Sequence, residues 1–234
     1  MGDPLSPLYT YLQSTQPPAA RPFVTLTYAQ SLDGSIAAHA NQRLLLSGQE
    51  SLMMTHRLRA LHDGIMVGVG TVLADNPQLT VRLVEGENPR PVVLDTHLRS
   101  PLGSNLFQST TSPIFLHGAA AEAERVERFR EAGAALAAVP LDPGEGLQPD
   151  AALRELRDHG IHRLMIEGGA RVINSFTRAD LADLLVLTIA PRLVDGLRPL
   201  EAGDALPLPS LHKANWQPLG EDVIFWAKVE HADE

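Results

Sequence analysis

Three observations predict an α/β fold with a mixed, mainly parallel sheet, helices on both faces and an antiparallel C-terminal edge. Strand-like and helix-like stretches alternate from Arg21 onward, several of the strands are short and continuously apolar, and two strand-like segments near the end have no helical pattern between them. Alternation implies crossover connections between parallel strands. Continuous apolar runs suit strands covered on both faces, and directly successive strands favour an antiparallel pair.

The elements follow in order. Residues 1–22 contain neither a basic leader nor an apolar stretch of signal-peptide type, and are read as a peripheral segment whose Leu5, Leu8, Tyr9 and Leu12 pack locally. The prolines at 17, 18 and 22 suppress helix and make a stiff approach to the first strand, residues 23–29, rich in β-branched and aromatic side chains. Residues 49–61 carry Leu52, Met53, His56, Leu58 and Leu61 at helical spacing. Apolar runs at 64–70, 91–95, 113–117 and 164–167 read as buried strands. Helices are expected over 119–131, 150–159 and 170–178, the first two stopped by Gly133 and Gly160. Segments 183–191 and 221–229 close the sheet.

At 234 residues the chain suits one large domain, or one domain with a tail. With 19 basic against 28 acidic residues the net charge is −9, which argues against a nucleic-acid partner. No apolar run approaches the roughly 20 residues that cross a bilayer, so no membrane partner is expected. There are no cysteines, which excludes disulfides, thiolate metal sites and a thiol nucleophile and fits a reducing, cytoplasmic setting. The nine histidines form no recognisable ligand spacing, so no metal is expected.

In open parallel sheets ligands gather at the carboxyl ends of strands, beside helix N-termini. Two segments have that form. After one strand, Gly68 and Gly70 permit close approach of a ligand, Thr71 offers a helix-capping hydroxyl, and Asp75 lies about one helical turn on. After another, Glu167 precedes Gly168, Gly169 and a helix start, which presents unpaired N–H groups to an anion. Each segment reads equally well as a tight turn with solvated polar groups. Glu167 would repel an anion and so should face a donor-bearing part of a ligand. Asp33-Gly34 marks a turn that sets Tyr28, Ala29 and Ser31 near the same region. Arg59 and Arg82 are candidates to hold a phosphate bidentately, or else solvated surface charges.

Taken together, Ser31-Leu32-Asp33-Gly34, His56-Arg57-Leu58-Arg59, the run from Gly68 to Arg82, and Glu167-Gly168-Gly169-Ala170 closely resemble the reductase domain of riboflavin biosynthesis, the C-terminal family of the bifunctional pyrimidine deaminase/reductase. The likeness spans residues 23–229, so residues 23–234 are read as the reductase domain. It implies a dihydrofolate-reductase-like fold, NADPH as cofactor, and reduction of the ribosyl group of an amino-pyrimidine ribosylamine 5′-phosphate to the ribitylamino product. It implies cofactor contacts from Ala29, Thr71, Asp75, Thr96, Gly168, Gly169, Ala170, Arg171, Val172, Ile173, Asn174 and Ser175. Substrate contacts fall to Arg59, Leu79, Arg82 and Glu167, with Asp75 the candidate catalytic group. A homodimer is implied too, with the apolar segment 181–191 as its edge strand.

Two departures from the pattern stand out. The deaminase domain and its zinc ligands are not in this sequence, so a stand-alone reductase is expected. The polar–Lys/Gln–Trp triplet common after the Asp-Gly turn reads Asn41-Gln42-Arg43 here. The exact heterocycle is left open between the diamino-pyrimidinone, the deaminated uracil and another ring such as a pterin. A non-catalytic nucleotide-binding module is the reading from a different class. Arg99 is the candidate for choosing NADPH over NADH.

Overall fold

The computed structural model describes residues 2–38, 44–142, 146–200 and 208–231. The strands are β1 (Phe23–Ser31), β2 (Gly64–Gly68), β3 (Arg90–Leu94), β4 (Ile114–His117), β5 (Ala135–Ala138), β6 (Arg163–Ile166), β7 (Leu184–Ala190), β8 (Ser210–Leu219) and β9 (Asp222–Glu230). They form one sheet in the order β5-β4-β3-β2-β6-β1-β7-β9-β8. Every pair from β5 across to β7 is parallel, while β9 pairs antiparallel with both β7 and β8. The helices are α1 (Ser6–Ser14), α2 (Gln49–Ala60), α3 (Val69–Asp75), α4 (Ala123–Glu131), α5 (Pro149–Asp158) and α6 (Ala170–Arg178). No helix among the described residues is long and apolar enough to cross a membrane.

Side chains alternate across the sheet, as the pleat requires. Val24, Leu26, Met66, Val92, Leu164 and Ile166 point to one face and pack against Leu153 and Leu156 of α5 and Ile173 and Phe176 of α6. Met165, Ile65, Val67, Val93 and Phe115 point to the other, where α1 and α2 cover one end and α3 and α4 the other. The central strands are covered on both sides, which is why they read as unbroken apolar runs. Gly133 and Gly160 end α4 and α5 with φ of +87° and +81°, the left-handed conformation that favours glycine at a helix stop.

Leu5, Leu8 and Leu12 of the first segment are at most 1% exposed, packed with Leu58, Leu184 and Trp226. At about 2 kcal/mol per buried leucine, α1 is a working layer of the core. Segment 181–191 is no edge strand, because β7 lies inside the sheet between β1 and β9. The edge is β8, an element the pattern hides: its residues are almost all exposed, and a bulge between His212 and Asn215 interrupts its register. On α2 the buried methionine is Met54, while Met53 faces solvent.

The end of the chain also fixes α2. Asp222, buried at the start of β9, accepts hydrogen bonds from the Gly48 N–H at 2.8 Å and the Ser51 hydroxyl at 2.6 Å. A carboxylate at this N-terminus supplies the cap that Gly48 lacks.

Candidate active site

Strands β1, β6, β2 and β3 lie side by side and parallel, so the segments that follow them share one edge of the sheet. These segments are the turn at 31–35, Glu167 with its two glycines, α3, and residues 95–99. The glycine pair and Thr71 meet there. A Cβ built on Gly169 would stand 3.2 Å from Thr71 Oγ1, and one on Gly68 would stand 2.9 Å from Val172. Gly168 and Gly169 have φ of +106° and +83°, where a side chain would be strained in any case. Thr71 is not a cap as expected: Gly68 is the N-cap of α3, and Thr71 sits inside the first turn.

Asp75, the last residue of α3, has a carboxylate oxygen, Oδ1, that is buried without a hydrogen-bond partner. A buried acceptor left unpaired is costly and points to a donor brought by a ligand. The start of α6 has no side-chain cap. The first N–H bonded back into that helix is that of Ile173, on Gly169 O at 3.0 Å. The N–H groups of Ala170, Arg171 and Val172 precede it, the arrangement that accepts an anion. These features fit a dinucleotide pyrophosphate. Within α6 the expected cofactor residues divide. Arg171 is exposed and Asn174 and Ser175 half-buried, while Val172 and Ile173 face the core. Ile173 is fully buried, and its N–H is bonded to Gly169 O.

Arg59 and Glu167 depart from their expected tasks by meeting each other. Arg59 Nε and Nη2 donate to the two Glu167 carboxylate oxygens, both at 2.6 Å, with side chains only 12% and 13% exposed. The remaining arm, Nη1, donates to Thr80 O at 2.8 Å. Three of the five Arg59 N–H groups are therefore spent within the chain, and Glu167 faces an arginine of its own chain. Sequence reasoning found both residues but not the pairing, since they stand on α2 and after β6.

The loop after α3 carries Leu79 and Arg82. Asn76 and Leu79 adopt φ of +41° and +53°, and Leu79 is buried. Val81 N–H donates to Asn88 Oδ1 at 2.7 Å, and Arg82 N–H to His56 Nδ1 at 3.0 Å. Arg82's side chain is exposed. Burial, with Arg59 and Arg82 nearby, pushes the His56 imidazole down to about 4. It is therefore neutral, with its proton on Nε2.

At the other flank, Asp33 ties the turn after β1 to the segment after β7. Its oxygens accept from the Ser31 and Ser35 hydroxyls and from the N–H groups of Val194 and Asp195. These bonds, the Ser31 hydroxyl first, hold its carboxyl far below the usual carboxylate range. Ala29 is half-buried on β1, paired with Thr188. Thr96 follows β3, and its carbonyl accepts the Gly118 N–H at 3.0 Å. Beyond it lies a recess of about 330 Å³ lined by His97, Arg99, Ala120, Ala121, Glu122 and Arg125. Residues 41–43 lie outside the described residues.

A second buried histidine, just after α2, is expected to make stability pH-dependent. His62 is buried, with Nδ1 2.6 Å from Leu58 O and Nε2 2.7 Å from Thr25 Oγ1, and burial holds it down at about 4. Below the unfolded value of about 6.5 the unfolded chain takes up a proton that the folded one refuses. Stability present above that value is lost as pH falls toward 4. Between pH 7 and pH 5 this one imidazole is expected to remove about 2 kcal/mol, read by urea titration at the two values. His56 acts in the same direction, and a stability unchanged over that window would show that these rings are not held neutral.

The RibD C-terminal domain family model matches residues 22–225. The chain is 36% identical over 255 residues to the 2,5-diamino-6-ribosylamino-4(3H)-pyrimidinone 5′-phosphate reductase of Debaryomyces hansenii, covering 97% of this chain and 98% of that one. It is 35% identical to the protein of the same description from Methanothermobacter thermautotrophicus, covering 87% of this chain and 96% of that one. Among solved structures, the riboflavin biosynthesis reductase of Saccharomyces cerevisiae superimposes with a TM-score of 0.76 at 30% identity, over 95% of this chain and 99% of that one. By the extent of these matches, and by a sheet edge that gathers the motifs in one place, the chain belongs to the RibD C-terminal domain family.

Proposed function

We propose that this protein is an NADPH-dependent reductase that converts the ribosyl group of 2,5-diamino-6-ribosylamino-4(3H)-pyrimidinone 5′-phosphate to the ribityl group. The observation that carries the reading is the buried, unpartnered Asp75 oxygen on the sheet edge where Thr71 meets the glycine pair. The substrate is that of the reductases which match this chain over nearly their whole length.

Bound NADPH supplies the hydride that reduces the ribosyl C1. The chain's own work is alignment and charge placement. The N–H groups of Ala170, Arg171 and Val172 take the pyrophosphate, and Asp75 accepts a donor from the opened ribosyl chain or the nicotinamide amide. Arg82 takes the substrate phosphate, while the Arg59–Glu167 pair forms a fixed wall beside it. The recess lined by His97, Arg99 and Arg125 supplies the positive charge that favours NADPH over NADH. The test is spectrophotometric. Absorbance at the reduced nicotinamide band should fall only when the ribosylamino-pyrimidinone phosphate is present. Tight NADPH binding without oxidation across such substrates would instead mark a binding module.

The homodimer implied by the family has a supporting surface. Leu187, Phe225 and Trp216 align across β7, β9 and β8, with Trp216 64% exposed and 4.5 Å from Phe225 by ring centroids. Leu211 and Val229 pair alongside. An apolar edge of this kind is suited to a second copy. Light scattering at micromolar concentration is expected to return twice the chain mass, falling to one chain mass in Trp216→Lys. A monomer mass for the native chain would reject the dimer.

A further inference from the structure

The loop from 76 to 82 is gripped from outside at three successive backbone groups. Thr80 C=O accepts from Arg59 Nη1, Val81 N–H donates to Asn88 Oδ1, and Arg82 N–H donates to His56 Nδ1. Two of the three grips come from one helix, from side chains three positions apart and so on the same face of α2. Leu79, one of the loop's two residues with left-handed φ, is itself buried in the cluster that holds Val72 and Phe115. A backbone held in sparsely populated geometry by so many partners is one whose exact course matters to function.

His56 has no task in the reduction as described above, yet it is 2% exposed and carries a polar ring into the core. We infer that His56 is a positioning residue: its Nδ1 lone pair fixes the Arg82 backbone, so that the Arg82 guanidinium emerges at one defined point for the substrate's phosphate. This rests on the phosphate reading of Arg82 given above. The neutral ring is essential to the arrangement, because a protonated imidazole has no lone pair to accept the Arg82 N–H. The two arginines that flank His56 oppose that protonation and so protect the acceptor. Arg59 contributes twice, through its hold on Thr80 and through its charge. A free arginine side chain gains affinity only after its rotamers are frozen, and a fixed Cα removes part of that cost before the ligand arrives.

The experiment uses the full chain with His56→Leu, His56→Asn, Arg82→Ala and the double variant His56→Leu/Arg82→Ala. Amide exchange at Arg82, followed by NMR, should speed up in His56→Leu while Val81, held by Asn88, keeps its protection. His56→Asn should restore it, because the amide oxygen accepts the same N–H. In steady-state assays His56→Leu should raise KM for the phosphorylated substrate about tenfold, the loss of one hydrogen bond's ordering, with kcat and the KM for NADPH unchanged. In the Arg82→Ala background the same substitution should add almost nothing. Additive effects, parallel losses in kcat and NADPH affinity, or an unchanged Arg82 exchange rate would each overturn the inference. An Arg82→Ala enzyme with native KM would instead sink the phosphate reading, and the inference with it. The exchange data would then show separately whether His56 anchors the loop.

Discussion

Glu167→Ala is expected to lower the stability of the protein by about 3–5 kcal/mol, the cost of stripping one partner from a buried ion pair. Both side chains are nearly nine-tenths shielded, and both oxygens of Glu167 are spent on Arg59 at 2.6 Å. Removing the carboxylate leaves a guanidinium in a low-dielectric setting with only Thr80 O to satisfy it. For a chain of this size the midpoint of thermal unfolding should drop by roughly 6–20 °C. The double replacement Arg59→Met/Glu167→Leu should recover most of that loss, because two apolar groups need no compensation. Turnover should not return with it, since the loop anchored at Thr80 loses its grip. A single variant within 1 kcal/mol of native by denaturant titration would show that water reaches the pair and screens it.

Asp75→Asn should behave in the opposite sense. The substitution preserves shape while removing a carboxylate whose Oδ1 has no partner in the protein. Turnover is expected to fall about a hundredfold or more, the range seen when a positioned charge or proton-transfer group is lost. Stability should hold or rise, because a buried oxygen without a donor is a burden to the free protein. Kinetics and thermal melts on the same preparation separate the two effects. Unchanged turnover with native cofactor affinity removes Asp75 from the chemistry.

What could be read in advance depended on burial. Strands β2, β3, β4 and β6 announce themselves because both faces are covered and their central positions are all apolar. β8 carries histidine, lysine, asparagine and proline on an exposed edge, so no alternation survives to be seen. β5 is three alanines and a leucine, a composition that says nothing about strand or helix. The same logic divides the site. Gly168 and Gly169 are legible because their backbone demands glycine, and Asp75 because it belongs to an extended motif. The Arg59–Glu167 pair joins positions 108 residues apart, and no local rule links them. His56 was visible only as a polar residue in the apolar stripe of a helix. That signal acquires meaning once Arg82 is found beside it.

The strand order has a further consequence for how the protein is born. β1, the first strand made, occupies the interior of the sheet, with Phe23 paired to Arg163 on one side and Thr25 to Leu184 on the other. At about 5–20 residues per second, its neighbours leave the ribosome roughly 7–30 seconds after it does. Until then an apolar β-strand and the helix α1 wait without the partners that cover them, α1 longest of all because Trp226 comes near the very end. Closure of the sheet around β1 therefore waits for strands made far later in the chain, and until then the nascent chain is the kind of client that a holding chaperone shields from aggregation.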